Sequence, residues 1–243
     1  MEKTEFYTLF EDVFRKNGLE EYVTPAIMEQ FYRLTDIMVR TNEVMNITAL
    51  TTPEKIIPLH YADCVKVASV IPRGVTVADI GCGGGFPILP LAIVRPDLQL
   101  TGIDSTEKKI KYVNQTAKEL NLTNVNAISG RAEDFAKDSN YRENFDVVIS
   151  RAVARLNVLN ELCIPFVKIN GNFIAMKGSA GHEEVHECVF GVQKLGGTVQ
   201  SVIDYELVTV QEVEARVLVQ IHKKNTTPIQ YPRAFGAIKK KPL

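Results

Sequence analysis

The stretch "VADIGCGGGFP", Val77 to Pro87, passes from a β-branched run into a cluster of glycines and then an apolar segment. Strand, glycine turn and helix in that order open a parallel α/β sheet, because glycine lets backbone approach a ligand where a side chain would collide. The remaining chain has to supply further βα units, and it does. The runs "LQLTGIDS", "VNAISGRAEDF", "FDVVISRA" and "GNFIAMKG" are separated by helical patterns near Leu89–Val94, over "EKKIKYVNQTAKELN" and "LNVLNELCIPFV", and around Glu183–Leu195. Two closing runs, "TVQSVIDYELV" and "ARVLVQIHK", are joined by too short a connection for a helical crossover, which predicts an antiparallel hairpin at one edge.

The segment before the first strand reads as helices. Phe6, Leu9, Phe10, Val13 and Phe14 repeat at helical spacing, Thr24 before Pro25 forms a cap and first turn, and a third helix runs from Pro53 toward Val70. The organisation expected is a helical N-terminal cap over 1–72, a core over 73–224 and a basic tail over 225–243. A chain of 243 residues, 45% of them hydrophobic, can bury a full core. No apolar run approaches the roughly 20 residues that span a bilayer. The start "MEKTEFYTLFEDVF" is unlike a signal peptide, and the four cysteines lack a C-x-x-C pair, so a soluble, cytoplasmic protein with reduced thiols is expected.

A net charge of −1 does not describe a generic nucleic-acid binder. The charge is uneven: from Lys223 onward the chain is +6 with no acid, which leaves −7 for the rest. That end is either a solubilising disordered tail or an arm that contacts phosphates.

Two ligands compete for the glycine turn. A dinucleotide needs G-x-G-x-x-G, but Gly81, Gly83, Gly84 and Gly85 are followed by Phe86 where the last glycine should stand. S-adenosyl-L-methionine fits better. Asp79 at the strand end can face an ammonium, and would repel a pyrophosphate. Asp104 closes the next strand, 23 residues after Gly81, where a carboxylate can accept from ribose hydroxyls. Ala132 and Glu133 in "GRAEDF" fall beside the expected adenine. The fold class expected is α/β: a Rossmann-like class I S-adenosylmethionine-dependent methyltransferase, with a mostly parallel seven-stranded sheet, an antiparallel edge hairpin and a helical N-terminal extension.

The segments "MNITAL", "LHYADC", "DIGCGGGFP", "IDS", "GRAEDF", "SRAVARL", "AMKG" and "YPR" occur in this order over nearly the whole chain. In them the chain resembles the glucose-inhibited division protein B family of small-subunit ribosomal RNA guanine-N7 methyltransferases. The resemblance implies that Gly81, Phe86, Ala132, Glu133 and Arg151 line the S-adenosylmethionine site, and that the partner is 16S ribosomal RNA in the small subunit or a precursor. The sequence departs from the family at Ile88, where glycine is common, and in having no Trp.

The fourth strand ends in Ser150-Arg151-Ala152-Val153, not in the Asn/Asp-Pro-Pro-aromatic grip used for exocyclic amines. Cys163 lies in an apolar helical pattern and reads as core, not as a nucleophile. Guanine N7 suits what remains, since its lone pair can attack a sulfonium methyl without a general base. Arg151 is the residue expected to touch both cofactor and target, through a fork that suits a carboxylate or a guanine edge. Asn46 and His60 are expected to frame the acceptor pocket, and Arg155, Lys177 and Arg216 to contact RNA. "HEEVH", His182–His186, matches a zinc-hydrolase motif, but it follows the fifth strand of the methyltransferase pattern and reads as a solvated helix, so no metal is expected. Two other readings stay open: a methyltransferase of the same fold acting on a small molecule or a protein, and a non-catalytic RNA-binding protein. The chain is expected to be a monomer.

Overall fold

The computed structural model describes residues 1–243. The strands β1 (Thr76–Ile80), β2 (Gln99–Asp104), β3 (Val125–Ser129), β4 (Phe145–Arg151), β5 (Val167–Gly178), β6 (Gly197–Val208) and β7 (Val213–Lys223) form one seven-stranded sheet in the order β3-β2-β1-β4-β5-β7-β6. All neighbours pair in parallel except β7, which runs antiparallel between β5 and β6. The expected hairpin is therefore present, with its second strand tucked inside and its first at the edge. Strand β1 is buried on both faces from Val77 to Ile80, Asp79 included. The order reverses beside β1, and this opens a crevice at the carboxyl ends of β1 and β4.

Ten α-helical segments cover the sheet: α1 (Lys3–Lys16), α2 (Pro25–Asn42), α3 (Pro53–Ile56), α4 (Asp63–Lys66), α5 (Ile88–Val94), α6 (Glu107–Glu119), α7 (Ala132–Phe135), α8 (Leu156–Cys163), α9 (Gly181–Lys194) and α10 (Phe235–Lys240). On α1 the side chains of Phe6, Phe10, Val13 and Phe14 are buried. They share one apolar core with Phe31 of α2, Leu89 of α5, Val113 of α6 and Val77 of β1, so the N-terminal helices are built into one face of the sheet. Each such Phe contributes roughly 1.5–3 kcal/mol of burial. Thr24 accepts from the Ile27 amide at 3.3 Å with Pro25 in the first turn, as its sequence predicts.

Two expectations change. The single helix expected from Pro53 to Val70 is broken into α3, a π-helical turn at Ile57–Ala62, α4 and a 3₁₀ turn at Val67–Val70. Pro58 has no N–H to give to the ladder and its ring crowds the preceding turn, so the helix widens there. The basic tail is folded onto α8. Buried Glu161 accepts from the Arg233 backbone amide at 2.8 Å and from its guanidinium at 2.6 and 2.9 Å, while Ile238 of α10 is fully buried. Lys223 is also interior, donating to the Ile164 carbonyl at 3.0 Å beside Glu143, and burial pushes its pKa down to about 8. Only Lys224 and Lys239–Lys241 of the basic run are exposed.

Candidate active site

The turn after β1 is hooked to β2 by the Gly81 amide, which donates to the Ile103 carbonyl at 2.8 Å. Gly81 holds φ +76°, and a Cβ there would lie 2.4 Å from Val153 Cγ2. At Gly84 the obstacle would be Ile47, whose Cγ2 lies 2.7 Å from the place of a Cβ. Glycines are thus required for two separate reasons: a left-handed backbone at Gly81, and close packing of the 47–48 segment at Gly84.

Along this turn runs a cleft of about 680 Å³, of a size suited to a small-molecule cofactor. Gly81, Gly83, Phe86, Asp104, Ala132, Glu133, Arg151 and His60 all line it, which brings eight of the expected residues around one cleft. Asp104 accepts from the Gly83 amide at 3.0 Å and the Thr106 amide at 2.8 Å, so the carboxylate is fixed at the strand end with lone pairs left for a diol. Glu133 is nearly buried beside Arg131, 3.5 Å away.

Asp79 differs from its expected place. It lies one residue behind the wall residues Ile80 and Gly81, 1% exposed, and both carboxylate oxygens are without a hydrogen-bond partner. Burial raises its pKa to about 7; the charge of Arg151 and the nearby Ile88 backbone N–H pull the other way. Arg151 Nε is likewise buried and unpartnered. Asp79 and Arg151 thus each keep a buried polar group without a partner beside the cleft.

Arg151 is otherwise fully braced. Nη1 donates to the Leu59 carbonyl at 2.9 Å and to Asp63 at 3.0 Å, and Nη2 lies 3.1 Å from His60 Nδ1. The π-helical turn supplies Leu59 and His60, so the widened helix presents a carbonyl and a ring to the same guanidinium. The His60 ring stacks on Phe86 with centroids 4.2 Å apart and 9° between planes. Desolvation, then the charge of Arg151, push the His60 pKa down to about 3, and the ring is neutral.

Other expected residues are dispersed. Asn46 is exposed and does not line the cleft, because the Asn42 carboxamide accepts from the Ile47 and Thr48 amides at 2.7 and 3.1 Å and turns Thr48 inward instead. Lys177 and Arg216 meet Arg151 around a second cavity of about 320 Å³ that shares Arg151 and Ala152 with the cleft. There Lys177 pairs with Glu184 at 2.7 Å, and Arg216 with Glu214 at 2.8 Å. Arg155 lies outside both cavities, paired with Glu187 at 2.8 Å. In the "HEEVH" segment, His182 binds Asp204 at 2.6 Å, and no cluster of three ligand-type side chains forms. Asn42, Thr48, Asp63 and Tyr205 escaped the sequence reading; Tyr205 donates to Asp63 at 2.8 Å across 142 residues, and nothing local signals that contact.

The family model of GidB, described as rRNA small subunit methyltransferase G, matches residues 27–215. The chain belongs to this family. A GidB relative from Bacillus cytotoxicus, "Ribosomal RNA small subunit methyltransferase G", is 39% identical over 96% of this chain and 97% of its own. A protein of the same name from Oceanobacillus iheyensis is 42% identical over 88% of this chain and 90% of its own. Among solved structures, TYW2 from M. jannaschii in complex with AdoMet superposes with a TM-score of 0.53 at 17% identity, covering 66% of this chain and 74% of that one. At that identity the likeness shows the fold alone, a Rossmann-like α/β sheet.

Proposed function

We infer that this GidB-family chain transfers a methyl group from S-adenosyl-L-methionine to N7 of a guanine in 16S ribosomal RNA. The observation that carries the reading is the wall after β4. Ser150 is fully buried, donating to the Ile80 carbonyl at 2.7 Å, so Arg151 is the polar side chain that this strand end presents to the cleft. No carboxylate or carboxamide stands there to grip an exocyclic amine. Guanine N7 needs neither a grip of that kind nor a base, and neutral His60, whose Nδ1 is engaged by Arg151, is not available as one.

The residues suit the donor. S-adenosylmethionine supplies an electrophilic methyl on a sulfonium. The backbone of Gly81 and Gly83 admits its amino-acid portion, Arg151 Nε and Asp79 offer opposite charges to the carboxylate and ammonium, Asp104 accepts from ribose, Ala132 and Glu133 bound the adenine end, and Phe86 lines the same cleft. Catalysis then rests on orientation, with the braced Arg151 fixing the cleft wall beside which donor and target base meet.

For the acceptor, Lys177 and Arg216 beside Arg151 form the inner phosphate contacts, with Arg155 and Asn46 on the rim. A chain of net charge −1 gains little from unspecific attraction, which favours a pre-shaped particle, the small subunit or its precursor, over naked RNA. No helix is long and apolar enough to cross a membrane, and we assign the protein to the cytoplasm. The apolar stripe of α1 is buried within the chain, which supports a monomer. The test is transfer of labelled methyl to small subunits from cells lacking the protein, with naked 16S RNA alongside and cleavage chemistry specific for N7-methylguanine. Incorporation at one guanine is expected; N6-methyladenine, or no incorporation despite donor binding, would overturn the assignment.

A further inference from the structure

An arginine side chain can only donate hydrogen bonds, so His60 Nδ1, 3.1 Å from Arg151 Nη2, accepts, and the imidazole proton sits on Nε2. That Nε2–H points at Thr48 Oγ1, 2.7 Å away. The same oxygen accepts from the Leu50 amide at 3.0 Å. A hydroxyl has two lone pairs and one proton. Both lone pairs of Thr48 are occupied, and its proton has no acceptor within the protein. Thr48 lines the cleft together with His60 and Arg151, so it offers the cleft a donor and nothing else.

The arrangement is rigid. The Asn42 carboxamide accepts from the Thr48 amide at 3.1 Å and donates to the Thr48 carbonyl at 3.0 Å, and His60 is clamped between Arg151 and the face of Phe86. Moving the imidazole proton from Nε2 to Nδ1 would set an N–H against the guanidinium. The polarity of the Thr48 hydroxyl is therefore fixed by a residue two hydrogen bonds away.

We propose that the Thr48 hydroxyl selects guanine over adenine at the acceptor position by donating to guanine O6. The purine edge that carries N7 presents an acceptor, O6, in guanine and a donor, the N6 amine, in adenine. A donor-only hydroxyl bonds the first and opposes the second. It leaves the N7 lone pair free, since O6 is the other acceptor on that edge. The donor's carboxylate has its own partner in the unpaired Arg151 Nε–H. The inference rests on guanine N7 as the target and adds the residue that recognises the base.

The experiment compares wild type, Thr48→Val and Thr48→Ser on small subunits reconstituted with 16S RNA carrying either guanine or 2-aminopurine, which keeps N7 and lacks O6, at the position the wild type methylates. Loss of one neutral hydrogen bond predicts a fall in kcat/KM for RNA of about tenfold for Thr48→Val on guanine, with Thr48→Ser close to wild type. The wild type should lose a similar factor on 2-aminopurine, and Thr48→Val should lose little more there, the signature of two groups that act through each other. Donor affinity, measured by calorimetry without RNA, should be unchanged in both variants. Three results would overturn the proposal: full activity of Thr48→Val, donor affinity falling in step with its activity, or additive losses in the cycle. A wild type that methylates no guanine N7 would instead remove the reading beneath it.

Discussion

Arg151 Nη2 lies 3.1 Å from His60 Nδ1, and this contact, added to the burial of the ring, disfavours the protonated histidine. Burial first, and then the guanidinium charge, push the ring's pKa down to about 3. Methyl transfer should show no histidine step in kcat between about pH 5 and 8, where an unperturbed imidazole titrates. Nitrogen NMR of the labelled ring should report the Nε2–H form throughout that range. A kcat step near pH 6.5 that disappears in His60→Gln would show that the ring is exposed to solvent during turnover.

Asp79 should make stability and donor binding respond to pH in opposite ways. Its folded pKa, about 7, stands above the ordinary 3.8, so between those values the folded state holds a proton that the unfolded state has lost. Folding stability from this group therefore falls as pH rises across that window. Binding of a cationic ammonium needs the ionised carboxylate, so donor affinity should rise from about pH 5.5 to 7. Asp79→Asn should raise the Tm of the donor-free protein more at pH 7.5 than at 4.5, yet weaken the donor by about tenfold or more and flatten its pH dependence. Calorimetry and thermal melts at matched pH decide it.

The glycine turn separates backbone strain from steric conflict. Gly74 and Gly81 both hold positive φ, +68° and +76°, but a Cβ at Gly74 meets nothing within 4 Å, whereas at Gly81 it meets Val153 at 2.4 Å. Alanine at either position should cost about 1–2 kcal/mol of stability through the left-handed backbone. Only Gly81→Ala should also weaken donor binding, because only there does the new methyl enter the cleft wall. Equal donor affinities in the two variants would mean that Val153 moves aside without consequence.

The parts of this molecule legible in the sequence are those set by local chemistry. The turn from Gly81 to Pro87, the strand-end Asp104 and the β6–β7 hairpin follow from glycine spacing, β-branched runs and connection length, and the structure places them accordingly. What was not legible depends on partners distant in sequence or on a single disruptive residue. Pro58 turned one expected helix into four short segments, and Asn42 decided that Thr48, not Asn46, faces the cleft. The composition of the C-terminal run advertised free charge, but Arg233 answers a carboxylate 72 residues earlier, which no window along the chain reveals.

That last pair gives the sharpest stability prediction. Glu161 is fully buried in α8, and the Arg233 guanidinium binds it through Nε at 2.9 Å and Nη2 at 2.6 Å. Removing the cation by Arg233→Ala leaves an unpaired interior carboxylate, which costs about 3–5 kcal/mol. Glu161→Gln removes the charge that needs an answer and keeps an acceptor for the Arg233 backbone amide, so it should cost less, and adding it to Arg233→Ala should restore part of the lost stability. Denaturant unfolding of the two single variants and the double variant measures this directly. The consequence for activity runs through Phe235, which follows Arg233 by two residues and lines the cofactor cleft. If the tail only solubilised the chain, Arg233→Ala would leave both the midpoint and donor affinity unchanged. A tail anchored by Glu161 predicts that both fall together, because the anchor that holds α10 also holds one wall of the cleft.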